Sequence, residues 1–191
     1  MVYRNYRRSD LTPVWVLMGI SLLLFIVTSI ARDLILSLGL IPVIIGDRPW
    51  TIITSIFLHG NIWHLLFNMI TLYFFGRYLC VLLGAGKFLT VFFIGGILGN
   101  ILYLLLGEPF SVAIGASGAV FALGGVLAVM RPKLRVFVFP IPAPLPLWTA
   151  VIGGCLVISF FPNVAWQAHL GGLASGLAIG YFFRKRERIF R

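Results

Sequence analysis

The sequence predicts an all-α membrane protein with six transmembrane helices and both termini in the cytoplasm. Three observations carry that expectation. Of the 191 residues, 60% are hydrophobic and only 10% are charged, with a mean hydropathy of +1.05; a soluble domain carries about a quarter charged residues. Apolar runs recur along the whole chain, and each is long enough to cross a ~30 Å hydrocarbon core. The basic residues gather in alternate connections between those runs, which is how cytoplasmic segments are marked.

The spans are placed in order at residues 13–30, 61–75, 87–106, 111–130, 147–161 and 166–183, the second preceded by part of 51–59. Glycine, proline or charge breaks every junction: GRYLCVLLGAGK, LGEP, RPKLRVFVFPIPAPLP and FPNVAW. With the N-terminus inside, the cytoplasmic segments hold Arg4, Arg7, Arg8, Arg77, Lys87, Arg131, Lys133, Arg135, Arg184, Lys185, Arg186, Arg188 and Arg191, which leaves only Arg32 and Arg48 of the 15 cations outside. The net charge of +10 therefore reads as topology rather than as a nucleic-acid surface. The tail RKRERIFR serves the same end, with anionic lipid binding the lesser option. The first run, with its arginines and its Ser29-Ile30-Ala31 ending, also has the ingredients of a signal peptide, but its apolar core is too long for one and an uncleaved span is expected. A single membrane domain over 1–191 follows, with short basic ends at 1–12 and 184–191.

The polar residues left inside the spans are His64, Asn68, Asn100, Ser117 and His169. Spans two, four and six run in the same direction. Counted from the expected span starts, Ser117 lies roughly 9 Å in, and His64, Asn68 and His169 fall at a similar depth in the outer half. Each has an ordinary alternative. A membrane serine more often back-bonds to its own helix, and a lone His or Asn often makes one interhelical contact. Their meeting in one layer is what structural hydrogen bonding alone does not require. Gly172, Gly176 and Gly180 share a face with His169, and Gly118, Ala122 and Gly125 repeat that rhythm beside Ser117; small faces of this kind let helix backbones approach closely.

A serine near a histidine can attack a carbonyl, with the imidazole taking and later returning the proton. No carboxylate lies in the spans, so a dyad is the limit. His64, Asn68 and the Ser117 backbone N–H are candidate donors to the oxyanion. Cys80 and Cys155 form no CxxC, and HExxH is absent, so neither a metal site nor a cofactor is expected.

At this point three motifs, in order, resemble those of the rhomboid intramembrane serine proteases. HGNIWHLLFN (59–68) looks like the family's HxxxxHxxxN, GASG (115–118) matches GxSG, and AHLGGLASG (168–176) matches AHxxGxxxG. The resemblance covers about 50–180. It implies Ser117 as nucleophile, His169 as base, and His64, Asn68 and the Ser117 amide as the oxyanion site. His59, Gly115, Gly118, Gly172 and Gly176 take structural places around them; for His59 the alternative is an ordinary interfacial side chain. It also implies single-spanning membrane proteins as substrates, a site facing the outer side of the cell membrane, and a gate at 147–166 to which FFPNVAW adds aromatic rings. The chain departs from the family's pattern at Thr51, where an arginine often follows the tryptophan, and at Cys80, where a glutamate is common. Two other readings stand beside this one. A client-binding pseudoprotease would typically lack the serine or the histidine. A small transporter would tend to show two similar halves and intramembrane acids.

Overall fold

Long apolar runs with few breakers make helices in this chain, because a helix satisfies its own backbone where water is scarce. The computed structural model describes residues 10–138, 141–162 and 164–189. The arginines at 4, 7 and 8 and the residues after 189 lie outside the described residues. Helix α1 (Thr12–Ile30) opens with a proline at its first turn, where no amide donor is lost. A short α2 (Leu34–Leu38), a 3₁₀ turn at Pro42–Ile44, α3 (Thr51–Thr54) and a 3₁₀ turn at Ser55–Phe57 fill the first connection. Helix α4 (Ile62–Leu83) starts where the Asn61 side chain accepts a hydrogen bond from the His64 amide at 2.8 Å. Helix α5 (Ala85–Leu106) follows after Gly84 alone, whose φ of 88° turns the chain back on itself. The core completes with α6 (Ser117–Met130), α7 (Leu147–Ser159) and α8 (Trp166–Ile189).

Three boundaries differ from the sequence expectation. The second helix continues past 75 to Leu83, because the residues of GRYLCVLL form a helix readily once packed and the sole true breaker there is Gly84. The last helix runs past 183 to Ile189, since a charged segment of arginine, lysine and glutamate has good helix propensity. The third difference matters most. The fourth helix begins at Ser117, not at 111, and the segment before it is extended. Leu40 and Ala113 exchange backbone hydrogen bonds at 3.0 and 2.9 Å, the Val43 amide donates to Pro109 at 3.0 Å, and the Gly115 amide donates to the Ser55 carbonyl at 2.9 Å. Those partners use the backbone groups that a helix would need. The connection after α6 also carries an unexpected two-stranded hairpin, β1 (Arg135–Val136) against β2 (Leu145–Pro146).

Among the described residues, three helices, α1, α4 and α5, are long and apolar enough to cross a membrane; α6 and α7 are apolar but shorter. At 14 residues, α6 spans only about 21 Å. Its shortness is tolerable because nearly all of it is buried between α5, α7 and α8, and the extended segment leading into it is packed against the first connection rather than exposed. The exposed faces of α1, α4 and α5 are rich in large apolar side chains such as Trp15, Leu23, Phe67, Phe74 and Leu105. The main core joins Leu72, Leu79, Phe88, Phe92, Leu123, Leu127 and Leu147.

Glycines determine how close α8 comes. A Cβ on Gly172 or Gly176 would overlap the α6 backbone at Gly118 and Ala122, and one on Gly99 of α5 would stand 2.6 Å from the Ala168 carbonyl. The α8 backbone is thus wedged between α5 and α6 at distances only glycine allows.

Candidate active site

Ser117 is the first residue of α6 and His169 lies in the first turn of α8. With both helix starts at the same end and their backbones nearly touching through Gly118 and Gly172, the side chains have little distance to cover. His169 Nε2 and Ser117 Oγ are 2.7 Å apart. Ser117 is half-buried, whereas His169 is buried at 5% exposure. The Phe121 ring, one turn along α6 from Ser117, packs on the imidazole with centroids 4.9 Å apart. His169 Nδ1 is buried without a hydrogen-bond partner among the described residues. Packing, not a carboxylate, holds the ring.

His64 reaches the same place from α4. A Cβ on Gly115 would lie 2.6 Å from His64 Nε2, so the absence of a side chain at 115 is what lets the imidazole sit against the strand entering Ser117. Gly115 also has φ of 125°, a conformation that side-chain-bearing residues rarely adopt. Asn68 is buried one turn below His64, and its amide nitrogen donates to the His64 carbonyl at 2.9 Å. That bond uses one of its two N–H groups.

His59, in the connection before α4, is buried at 1% exposure. Its Nδ1–H donates to the Phe57 carbonyl at 3.2 Å, and its ring meets His64 edge-on with centroids 5.0 Å apart. Burial, and then the neighbouring His64, push its imidazole down to about 3, so it is neutral near pH 7. The aromatic residues after α7, Phe160 and Phe161, are exposed, as belt residues are.

One supporting residue carries more than the sequence indicated. Asn100 of α5 donates to the Ile52 carbonyl at 2.7 Å and to Ser55 Oγ at 2.9 Å, while the Ser55 carbonyl accepts from Gly115. A chain of hydrogen bonds therefore runs from the middle of α5 to the residue two before Ser117. An asparagine in an apolar helix was the available signal; its partner, 45 residues away, was not visible from spacing. Among the described residues, no group of three His, Cys, Asp or Glu side chains could hold a metal ion.

A family model described as Rhomboid domain matches residues 46–186. The chain is 31% identical over 154 residues to Rhomboid protein 1, mitochondrial, of Saccharomyces cerevisiae, covering 71% of this chain and 42% of that protein. It is 32% identical to RHOMBOID-like protein 1 of Arabidopsis thaliana, covering 73% of this chain and 36% of the relative. It is 34% identical to a candidate rhomboid protease, YdcA, of Bacillus subtilis, covering 73% and 70%. The chain thus spans less than half the length of the yeast and plant relatives.

Proposed function

From the premise that this chain is an integral membrane protein of the rhomboid family, we propose that it is an intramembrane serine endopeptidase working through a Ser117–His169 dyad. The 2.7 Å approach of His169 Nε2 to Ser117 Oγ is the observation that carries the proposal. In this reading neutral His169 accepts the hydroxyl proton at Nε2 as Ser117 Oγ attacks the scissile carbonyl carbon. The carbonyl oxygen becomes an oxyanion beside the start of α6. There the Ser117 N–H is one of the donors that a helix's first turn leaves unpaired, at the positive end of the helix dipole. The His64 ring and the second N–H of Asn68 are the other donors. Collapse expels the amine, which takes the proton from His169, and water then hydrolyses the acyl-enzyme by the same transfers.

The substrates in this proposal are single-spanning membrane proteins, which reach the dyad from within the bilayer. The same reading assigns one membrane domain of six spans, α1, α4, α5, α6, α7 and α8, with both termini cytoplasmic and the dyad towards the outer face of the cell membrane. Support comes from the alternation of the cations and from the common direction of α4, α6 and α8, whose starting ends carry His64, Ser117 and His169.

The test is labelling of the detergent-solubilised protein with a fluorophosphonate probe. The parent should label, while Ser117→Ala and His169→Ala should not. Labelling that survives Ser117→Ala removes the dyad. A folded parent that neither labels nor cleaves a transmembrane substrate is a client-binding pseudoprotease instead.

A further inference from the structure

The connection between α6 and α7 is built unlike a loop that stands in water. From Val136 to Leu147 the chain reads VFVFPIPAPLPL, without one charged or hydrogen-bonding side chain. Turns in water draw on Gly, Asn, Asp and Ser as well as Pro. This stretch nevertheless carries the hairpin of β1 and β2. The Leu147 amide closes its base by donating to the Leu134 carbonyl at 2.7 Å, and the Ile141 amide donates to the Val138 carbonyl at 2.7 Å near the tip. Exposure alternates along the first arm, as a strand's side chains do. Leu134 and Val136 pack against the core, whereas Arg135 is exposed and Phe137 is 77% exposed. Beyond the tip, Ile141, Pro142 and Ala143 are exposed as well. Prolines at 140, 142, 144 and 146 remove four amide donors that would otherwise need partners.

Neighbouring residues fix the level at which the hairpin stands. Met130 and Leu134, on either side of the turn at its base, line one recess with Tyr78 of α4 and Arg184 of α8. Exposed aromatic side chains with a polar tip ring the bundle near that level: Tyr78, Trp148 in the first turn of α7, and Tyr181 about one turn before Arg184. Such residues mark the interface between membrane and water. On α4, exposed Phe67, Ile70 and Phe74 lead up to Tyr78 at helical spacing, so the lipid-facing surface reaches this level. Phe137 is three residues past Leu134, at most about 10 Å of extended chain. That reach leaves it beside the headgroup layer, within range of the boundary into which interfacial apolar elements sink by about 5–10 Å.

We propose that the hairpin of residues 135–146 is a lipid-inserted element, with Phe137 and Ile141 entering the headgroup–acyl boundary at the helix ends away from Ser117. Arg135, on the same face as Phe137, extends its guanidinium to the level of the phosphates. The insertion has a structural consequence. Strand β2 runs into α7 without a break, and the buried residues of α7 are only Leu147, Val151 and Cys155. Lipid around the hairpin therefore anchors the start of a helix that the protein core holds lightly. The proposal rests on the chain being an integral membrane protein and does not depend on the chemistry at Ser117.

Nitroxide labels at Phe137→Cys, Phe74→Cys and Asp10→Cys, each in a Cys80→Ser, Cys155→Ser background, test it on the full chain in phosphatidylcholine vesicles. Phe74 is an exposed side chain on the lipid-facing stripe of α4. Asp10 is exposed and charged, and it precedes α1 at the hairpin's end of the bundle, where Val14 packs beside Gly76. Paramagnetic resonance compares collisions with oxygen, which concentrates in lipid, and with a nickel chelate, which stays in water. The oxygen-to-nickel ratio at 137 should be severalfold higher than at 10 and should approach that at 74. A ratio at 137 equal to that at 10 puts the hairpin in water and overturns the proposal. Low collision rates with both reagents overturn it too, since protein, from this chain or a second copy, then covers the side chain. The anchoring is read from amide hydrogen exchange in a Phe137→Asp, Ile141→Asp variant, whose replaced side chains are exposed and leave the core intact. Exchange over 147–155 should rise severalfold while that of α5 stays unchanged; unchanged exchange over 147–155 overturns the anchoring.

Discussion

Ser117 owes its surroundings to a residue without a side chain. Gly115 has φ of 125° and faces His64 Nε2 at a distance that excludes a Cβ, so one glycine answers both a backbone and a packing requirement. Gly115→Ala is expected to cost roughly 1–3 kcal/mol of stability from backbone strain and, by pushing His64 aside, to slow fluorophosphonate labelling; thermal unfolding and labelling rate measure the two effects separately. His59 supplies a second prediction. Its imidazole has a pKa of about 3 in the folded protein against an ordinary value of 6.5, so between those values the unfolded chain binds a proton that the folded one refuses. Its contribution to stability is therefore complete above pH 6.5 and is lost as pH falls towards 3. Unfolding temperatures measured across that window should drop with acidification, and the drop should be shallower in His59→Gln.

At the scale of elements, the site is assembled by two different devices. One is close packing: glycines on α5, α6 and α8 bring three backbones together, and the Ser117–His169 contact rides on the α6–α8 pair. The other is the hydrogen-bonded brace from Asn100 through Ser55 to Gly115, which fastens α5 and the first connection to the strand entering α6. Asn100→Ala would leave the Ser55 hydroxyl and the Ile52 carbonyl short of a donor in a buried setting. A loss of about 1–3 kcal/mol is expected, together with slower labelling of Ser117, because the strand that orients the serine loses its anchor. Thermal unfolding and labelling of the same preparation check both. The glycine device was legible in the sequence, since Gly172, Gly176 and Gly180 announce a face. The brace was not, because hydrogen bonds between residues 45 apart leave no periodic trace.

For the whole molecule, the testable claim is topology. In a Cys80→Ser, Cys155→Ser background, Ser37→Cys in α2 and Lys133→Cys after α6 should react with a membrane-impermeant maleimide from opposite faces; labelling of both from one face would remove the six-span arrangement. The mostly helical class and the places of the long apolar helices could be read from the sequence, as could the gathering of His64, Ser117 and His169 at one end of the bundle; the hairpin of β1 and β2 could not. Hydropathy, charge alternation and glycine rhythm are local or periodic properties, and a chain displays these without folding. Only the tertiary structure decided that the segment before Ser117 is extended rather than helical, and that Ser117 therefore begins α6 instead of lying within it. Residues 111–116 are apolar enough to continue a helix. They do not, because Leu40 and Ser55 claim their backbone groups, and which distant residue offers a hydrogen bond is settled only when the chain has folded.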